Sequence, residues 1–146
     1  GGYAFNSLRM EKGYRAWGSE FTEEISGLEA DMSRFINLKR DFIGKENLEQ
    51  RLSDGIQMKL AYLSFDDQIP AECYGNEAVY CEGELVGLTT SGAFGHRVGY
   101  SLAFAYISLG LVHKDTQLEI LTAAGLRKAH VQKEPAYDPK NIRLRS

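Results

Sequence analysis

The sequence predicts a mainly β protein, an antiparallel barrel or sandwich preceded by an α-containing lead segment. Apolar residues recur at helical spacing near the start of the chain, and from residue 57 the apolar period changes to two. Short candidate strands then follow one another at intervals of roughly 10–15 residues, without a helical pattern between them. With 146 residues, the chain has the length of one domain, or of one domain with a short appendage.

The lead segment is predicted to begin with a helix over residues 3–12. Phe5 and Leu8 share one face of this helix, and Gly13 interrupts the pattern. An isolated helix of fewer than about 12–15 residues is marginal in water. We therefore expect this helix to fray where it lacks a sheet to pack against.

Two further elements complete the lead segment, which we expect to end near residue 56. Alternation over residues 34–38 predicts a short strand. The apolar pattern that continues to Leu52 predicts a helix. Gly55 ends this helix, because glycine readily adopts positive φ at a helix C-terminus.

The β region is predicted to start with a strand over residues 57–65, whose side chains alternate between two faces. A hairpin follows around a turn that contains Gly83. Small residues over 89–96 predict a loop. Further strands are predicted over residues 102–107, 117–122 and 127–132.

Composition argues against several classes of protein. Seventeen Lys and Arg against twenty Asp and Glu give a net charge of −3, which argues against a general nucleic-acid binder. The longest apolar stretch, residues 101–112, is shorter than the roughly 20 residues of a membrane-spanning helix. Cys73 and Cys81 are too few for a disulfide scaffold or a zinc site. We therefore expect no membrane partner, no metal and a reduced, intracellular setting.

One candidate for nucleophilic catalysis is Ser91 with His96, oriented by a carboxylate such as Asp115. No Gly-x-Ser-x-Gly elbow surrounds Ser91. We favour the interpretation that small residues permit a sharp crossing of strands here, and that the hydroxyls satisfy backbone groups.

The remaining motifs also favour structural roles. Gly92, Gly95 and Gly99 do not have the spacing of a dinucleotide or phosphate-binding loop, and we interpret them as turn glycines. His113 and His130 have no Cys or carboxylate at metal-ligand spacing. The sequence thus contains no self-sufficient catalytic site.

The chain starts with Gly-Gly-Tyr, and its first methionine is Met10. We therefore expect it to be a piece of a longer polypeptide.

Four groups of residues, taken in order, resemble the C-terminal part of the glycine-cleavage T-protein (aminomethyltransferase) family. The matching segments are residues 6–18 (Asn-Ser-Leu-Arg-Met-Glu-Lys-Gly-Tyr at their start), 28–30 with 41–46, 87–92, and 99–106. Within the family, the run Lys-Gly-Tyr-Arg-Ala-Trp-Gly and the ending Glu-Pro-x-Tyr-Asp-Pro are similar to the dimethylglycine and sarcosine dehydrogenase branch.

The resemblance implies a C-terminal β-barrel over residues 57–146. Residues 1–56 would be the end of a folate-binding domain plus a linker helix. The resemblance further implies that the chain is a C-terminal fragment of a folate-linked, FAD-dependent N-methyl amine oxidoreductase, in which tetrahydrofolate accepts the one-carbon unit. FAD and the family's catalytic Asp would lie in upstream domains of the same polypeptide, so we expect no turnover from this chain alone. The expected location is the bacterial cytoplasm, or the mitochondrial matrix in a eukaryote.

The resemblance also indicates which residues would line the folate pocket: Tyr14, Trp17, Arg34 and Phe35. The family's folate-contacting Arg falls at Phe5, and a position that is often aromatic falls at Arg34. Arg34 is expected either to bind a folate carboxylate, since a guanidinium makes bidentate pairs with carboxylates, or to form a rim salt bridge with Glu29 or Asp31.

Two alternative functions stay open. The first is a flavin-free, T-protein-like transferase that passes an aminomethyl or related one-carbon group to tetrahydrofolate. The second is a non-catalytic interaction module, which the basic residues concentrated over 127–145 support.

Overall fold

A computed structural model describes all 146 residues and shows a closed, six-stranded antiparallel barrel. The order of strands around the barrel is β1-β4-β3-β2-β5-β6, and the pairing of β1 with β6 closes it. The strands are β1 Met58–Phe65, β2 Ala78–Cys81, β3 Glu84–Gly95, β4 Tyr100–Ser108, β5 Gln117–Thr122 and β6 Gly125–Gln132. The predicted barrel is confirmed.

Helices lie before and after the barrel. They are α1 Gly2–Glu11, α2 Lys45–Asp54 and the single-turn α3 Ile142–Arg145, with 3-10 turns at Ser33–Phe35 and Leu109–Leu111. None of these helices has the length and apolar character needed to cross a membrane.

The alternation along β1 divides the buried residues into two clusters. Ala61, Leu63 and Phe65 point into the barrel and pack in its interior core. Leu60 and Tyr62 point outward and form a second cluster, the outer cluster, together with Met10, Leu102 and Phe104. Because Met10 belongs to α1, the outer cluster attaches the lead segment to the barrel wall.

Helix α1 packs on β3 instead of standing free, so the expected loss of a sheet to pack against, on which the fraying depended, is wrong. The Asn6 amide donates to the Gly92 carbonyl at 2.9 Å, and the Ser7 hydroxyl donates to the Phe94 carbonyl at 2.8 Å. The buried Glu11 carboxylate accepts from the Arg97 backbone N–H at 2.6 Å. Tertiary packing thus supplies the stability that a ten-residue helix lacks by itself.

The predicted strand over residues 34–38 is wrong, because Ser33–Phe35 forms a 3-10 turn. The Phe35 N–H donates to Met32 and the Ile36 N–H to Ser33, so local hydrogen bonds take the place of a ladder. Alternation over five residues could not show that no neighbouring strand was available to pair.

The predicted loop over residues 89–96 is also wrong, because β3 continues through it to Gly95. Gly92 and Gly95 are strand residues, and only Gly99 of the three glycines takes a positive φ, of +86°. A Cβ at Gly92 would lie 2.8 Å from the Cys73 Cβ, so this glycine permits close packing and does not form a turn.

Candidate functional site

A cleft with a volume of about 760 Å³ lies between the lead segment and the outer wall of the barrel. Tyr14, Arg34 and Phe35, three of the four residues predicted to line a folate pocket, line this cleft. Trp17 is not among its lining residues, and 77% of its surface is exposed. The prediction that these residues bind folate stays a prediction.

Two turns position the predicted residues at the cleft. Gly13, with a φ of +63°, ends the first helix and redirects the chain into Tyr14. The 3-10 turn at Ser33–Phe35 carries Arg34 with its guanidinium over the Phe35 ring, 4.6 Å from the ring centroid.

The rim salt bridge considered for Arg34 is absent. Glu29 pairs with Arg51, and Asp31 pairs with Arg15 and Lys59. No carboxylate lies within ion-pair distance of the Arg34 guanidinium. Its donors are therefore available to a ligand.

The charge of the cleft is strongly positive. Five cationic side chains line it against the single carboxylate of Asp31; these are Lys12, Arg15, Arg34, Lys59 and Lys133. Burial lowers the pKa of the Arg15 guanidinium, the Asp31 carboxylate opposes this shift, and the positive charge of Arg34 adds to it. A cleft lined by one sign of charge attracts ligands of the opposite sign.

The C-terminal tail forms another wall of the cleft. The Tyr137 N–H donates to the Glu11 carbonyl at 2.9 Å, and Lys12 Nζ donates to the Asp138 carbonyl at 2.8 Å and to Asn141 Oδ1 at 2.7 Å. These bonds hold the tail beside the end of α1, where Pro135, Pro139 and Asn141 face the cavity.

A buried ion pair that the sequence did not reveal links the lead segment to the barrel. Glu20 is fully buried, and its Oε2 accepts from Arg9 Nη1 at 3.1 Å and from the Ala16 N–H at 2.7 Å. Its Oε1 accepts from the Thr90 and Ser91 hydroxyls of β3 at 2.6 and 2.5 Å. Arg9 and Glu20 thus use all of their polar atoms in structural bonds.

The nucleophile considered at Ser91 is not formed. The Ser91 hydroxyl bonds to Glu20 and to Arg9, whereas the His96 ring packs edge-on against Phe94 with the ring centroids 5.2 Å apart. The interpretation that the hydroxyl has a structural role agrees with these contacts, although its partners are side chains.

A different serine does meet a histidine and an aspartate. Ser64 Oγ lies 3.0 Å from His130 Nε2, and His130 Nδ1 lies 2.7 Å from Asp66 Oδ1. Ser64 is only 2% exposed, so a substrate carbonyl has no route to its hydroxyl. The group joins β1 to β6 where the barrel closes. The separation of 66 positions between Ser64 and His130 hid the contact from sequence reasoning.

Elsewhere the chain offers no further ligand set. No three His, Cys, Asp or Glu side chains converge in a way that could hold a metal ion. The buried Cys73 thiol has its pKa raised to about 12 by burial, and this makes it a poor nucleophile at neutral pH.

Comparison with known proteins identifies the barrel. Residues 59–138 match the glycine cleavage T-protein C-terminal barrel domain. The chain belongs to this family. The glycine cleavage T-protein family was also the one that the sequence motifs resembled, and that prediction is confirmed.

Individual relatives come from two kinds of enzyme. The chain is 38% identical to mouse mitochondrial dimethylglycine dehydrogenase over 99% of its length, and 33% identical to human mitochondrial sarcosine dehydrogenase over 97%. It is 30% identical to a probable aminomethyltransferase of Pyrococcus abyssi over 97% of its length. It spans only 17%, 16% and 37% of these three relatives.

A solved structure shares the T-protein fold. The glycine cleavage system aminomethyltransferase T from Bartonella henselae superposes with a TM-score of 0.82 at 20% identity. The similarity covers 93% of this chain and 38% of that one. At this identity the comparison supports the fold alone.

Proposed function

We propose that this chain is the C-terminal part of a folate-linked N-methyl amine dehydrogenase, in which it forms one wall of the tetrahydrofolate site. The observation that carries the proposal is the cationic cleft, which brings Tyr14, Arg34 and Phe35 together. The identity of 38% with dimethylglycine dehydrogenase over nearly the whole chain supports the choice of branch.

The residues of the cleft fit the chemistry of a reduced folate. Such a molecule combines flat rings with a glutamate that carries two carboxylates. The Phe35 and Tyr14 rings offer surfaces on which a flat group packs. The unpaired Arg34 guanidinium suits a carboxylate, which it binds in a bidentate manner.

FAD would be held by polypeptide outside this chain, because the barrel lacks the βαβ unit that binds a dinucleotide. When bound there, FAD would supply the oxidation of the N-methyl amine. Contact with upstream domains is supported by an apolar surface on the lead segment, formed by Tyr3, Phe5, Leu8 and Trp17, all exposed.

The role of the wall is to keep the folate close to the one-carbon unit as it is released. In open water that unit would be lost as formaldehyde. An enclosed folate captures it in an effectively intramolecular step. The chain by itself would bind at most one side of the folate and would not turn over.

The proposal is tested in the full-length protein with Arg34→Ala. We expect tetrahydrofolate to bind about tenfold more weakly, because one charge-assisted hydrogen-bonded pair is lost. More of the product should also be released as free formaldehyde. Arg40→Ala is the matched control, since Arg40 is exposed and makes no ion pair. Equal folate affinity in both variants would refute a role for the cleft in folate binding.

A flavin-free transferase is the second candidate, favoured by the relative named as a probable aminomethyltransferase. The absorbance spectrum of the purified full-length protein separates the two functions. A flavin spectrum that bleaches on addition of dimethylglycine or sarcosine supports the dehydrogenase. A colourless protein that transfers a one-carbon group to tetrahydrofolate supports the transferase.

A further inference from the structure

The one carboxylate of the cleft lies between two of its cations. Asp31 Oδ2 is 3.0 Å from Arg15 Nη2, and Asp31 Oδ1 is 2.8 Å from Lys59 Nζ. The Asp31 side chain is 45% exposed, whereas those of Arg15 and Lys59 are 17% and 26% exposed. The carboxylate therefore covers the cation pair from the solvent side.

The position of Arg15 does not depend on Asp31. Arg15 Nε donates to the Ala30 carbonyl at 3.1 Å, and Nη1 donates to the Gly13 carbonyl at 3.3 Å. Its guanidinium also lies 5.7 Å from the centroid of the Phe104 ring. Lys59 projects from β1, within the register of the barrel. The Arg15 guanidinium and the Lys59 backbone are thus held by contacts that do not involve the Asp31 carboxylate.

Asp31 itself is placed by a turn and not by the barrel. It has a φ of +57°, and its N–H donates to the Leu28 carbonyl. The Asp31 carboxylate accepts hydrogen bonds from no group other than Arg15 and Lys59. Rotation of this half-exposed side chain would free the cation pair without disturbing the core.

We propose that Asp31 is an internal competitor for the anion site of Arg15 and Lys59, and that a dicarboxylate ligand displaces it. A monocarboxylate would only exchange one ion pair for an equivalent one. A dicarboxylate brings a second charge to the cations of the cleft that have no acid partner, Arg34 and Lys133. Asp31 thereby selects for ligands with two carboxylates. This inference deepens the proposed function, because it assigns a specificity determinant to the same cleft.

The test measures binding of glutarate, acetate and inorganic phosphate to the 146-residue chain by isothermal titration calorimetry. We expect Asp31→Asn to bind glutarate roughly tenfold more tightly than the wild type does, because a unit negative charge within a few ångströms is removed. Asn tolerates the positive φ as Asp does. Asp41→Asn makes the same change in net charge at an exposed residue that lines no part of the cleft, and it should leave the affinity unchanged.

Further variants test the site and the class of ligand. Asp31→Gly, which also suits a positive φ, should reproduce the gain, and adding Lys59→Met to Asp31→Asn should abolish it. Unchanged or weaker glutarate binding in both Asp31 variants would overturn the proposal, since Asp31 would then only hold the two cations. If the wild-type chain bound phosphate or acetate as tightly as it binds glutarate, the proposed selection for dicarboxylates would be overturned.

The outcome is separable from that of the proposed function. A gain in glutarate affinity with normal folate binding in full-length Arg34→Ala would refute the folate site but retain the competitor. Weaker folate binding in full-length Arg34→Ala without a gain in glutarate affinity in the Asp31 variants would retain the folate site and refute the competitor.

Discussion

At the scale of single residues, the fold depends on one position that has no space for a Cβ and on one buried carboxylate that has a single ion-pair partner. Gly87 of β3 faces the backbone of β4, and a Cβ there would lie 2.0 Å from the Tyr106 carbonyl oxygen. Glu20 is fully buried with one cation to balance it. A small substitution at either residue should therefore lower the free energy of unfolding by a large amount.

Gly87→Ala should destabilise the chain by about 3 kcal/mol or more, because the added methyl group meets backbone that cannot move without breaking the β3–β4 ladder. The free energy of unfolding in urea measures the effect. Gly110→Ala is the control, since Gly110 has no atom within 4 Å of an added Cβ and does not have a positive φ. Similar stability of the two variants would show that the strands separate easily.

Glu20→Gln should cost about 3–5 kcal/mol, because it leaves the Arg9 guanidinium buried without its counter-charge. The exposed Glu24→Gln is the control. Thermal unfolding followed by circular dichroism measures both. A loss below about 0.5 kcal/mol for Glu20→Gln would mean that water reaches the Arg9 site.

At the scale of elements, α1 has two faces with different tasks. One face carries Ser7, Met10 and Glu11, all buried against the barrel. The opposite face carries Phe5 and Leu8, both exposed. A helix that buries Ser7 and Glu11 and exposes both of its aromatic residues, Tyr3 and Phe5, is explained if a second surface covers the exposed face.

Phe5→Gln should leave the stability of the 146-residue chain within about 0.5 kcal/mol of the wild-type value, since Phe5 is mostly exposed there. In the full-length protein the same change should lower the unfolding temperature, because it would remove the apolar contact with upstream domains that we propose. Differential scanning calorimetry of both lengths provides the comparison. An equal effect at both lengths would argue against a covered surface.

At the scale of the whole molecule, the connection between lead segment and barrel includes Glu29. Its carbonyl accepts from the Leu60 N–H of β1 at 2.8 Å, and its carboxylate accepts from the Ser26 hydroxyl at 2.7 Å and from Arg51 Nε at 3.1 Å. Burial tends to raise the pKa of Glu29, but the hydrogen bonds from Ser26 and Arg51 outweigh it, so the pKa is lowered.

This shift predicts how stability depends on pH. A carboxyl group whose pKa is lower in the folded state contributes stability that is present above its unfolded pKa, near 4.5, and is lost as the pH falls through the folded pKa. Glu29→Gln should therefore show a smaller fall in urea midpoint between about pH 6 and about pH 3 than the wild type. Glu84→Gln, at an exposed carboxylate without a hydrogen-bond partner, should retain the wild-type slope. An unchanged slope in Glu29→Gln would contradict the prediction.

Sequence reasoning reached the barrel because period-two alternation, as in β1, records which side chains face a core. It failed at residues 34–38, where the same pattern had no neighbouring strand to pair with. It also failed for Glu20 with Thr90 and for Ser64 with His130, because these contacts join residues that are 66 or more positions apart. The cationic cleft was only partly predictable, since Lys59 and Lys133 reach it through barrel closure and not through local spacing.

The closure of the barrel has a consequence for how such a module is built into longer chains. Tyr62 of β1 pairs with Gln132, the last residue of β6, while Phe65 at the end of β1 pairs with Ala129. The chain therefore enters the barrel and leaves it at the same rim, on neighbouring strands. A barrel whose entering and leaving strands lie side by side can be connected to a longer polypeptide at two adjacent points. The opposite rim of the barrel is then left unaltered.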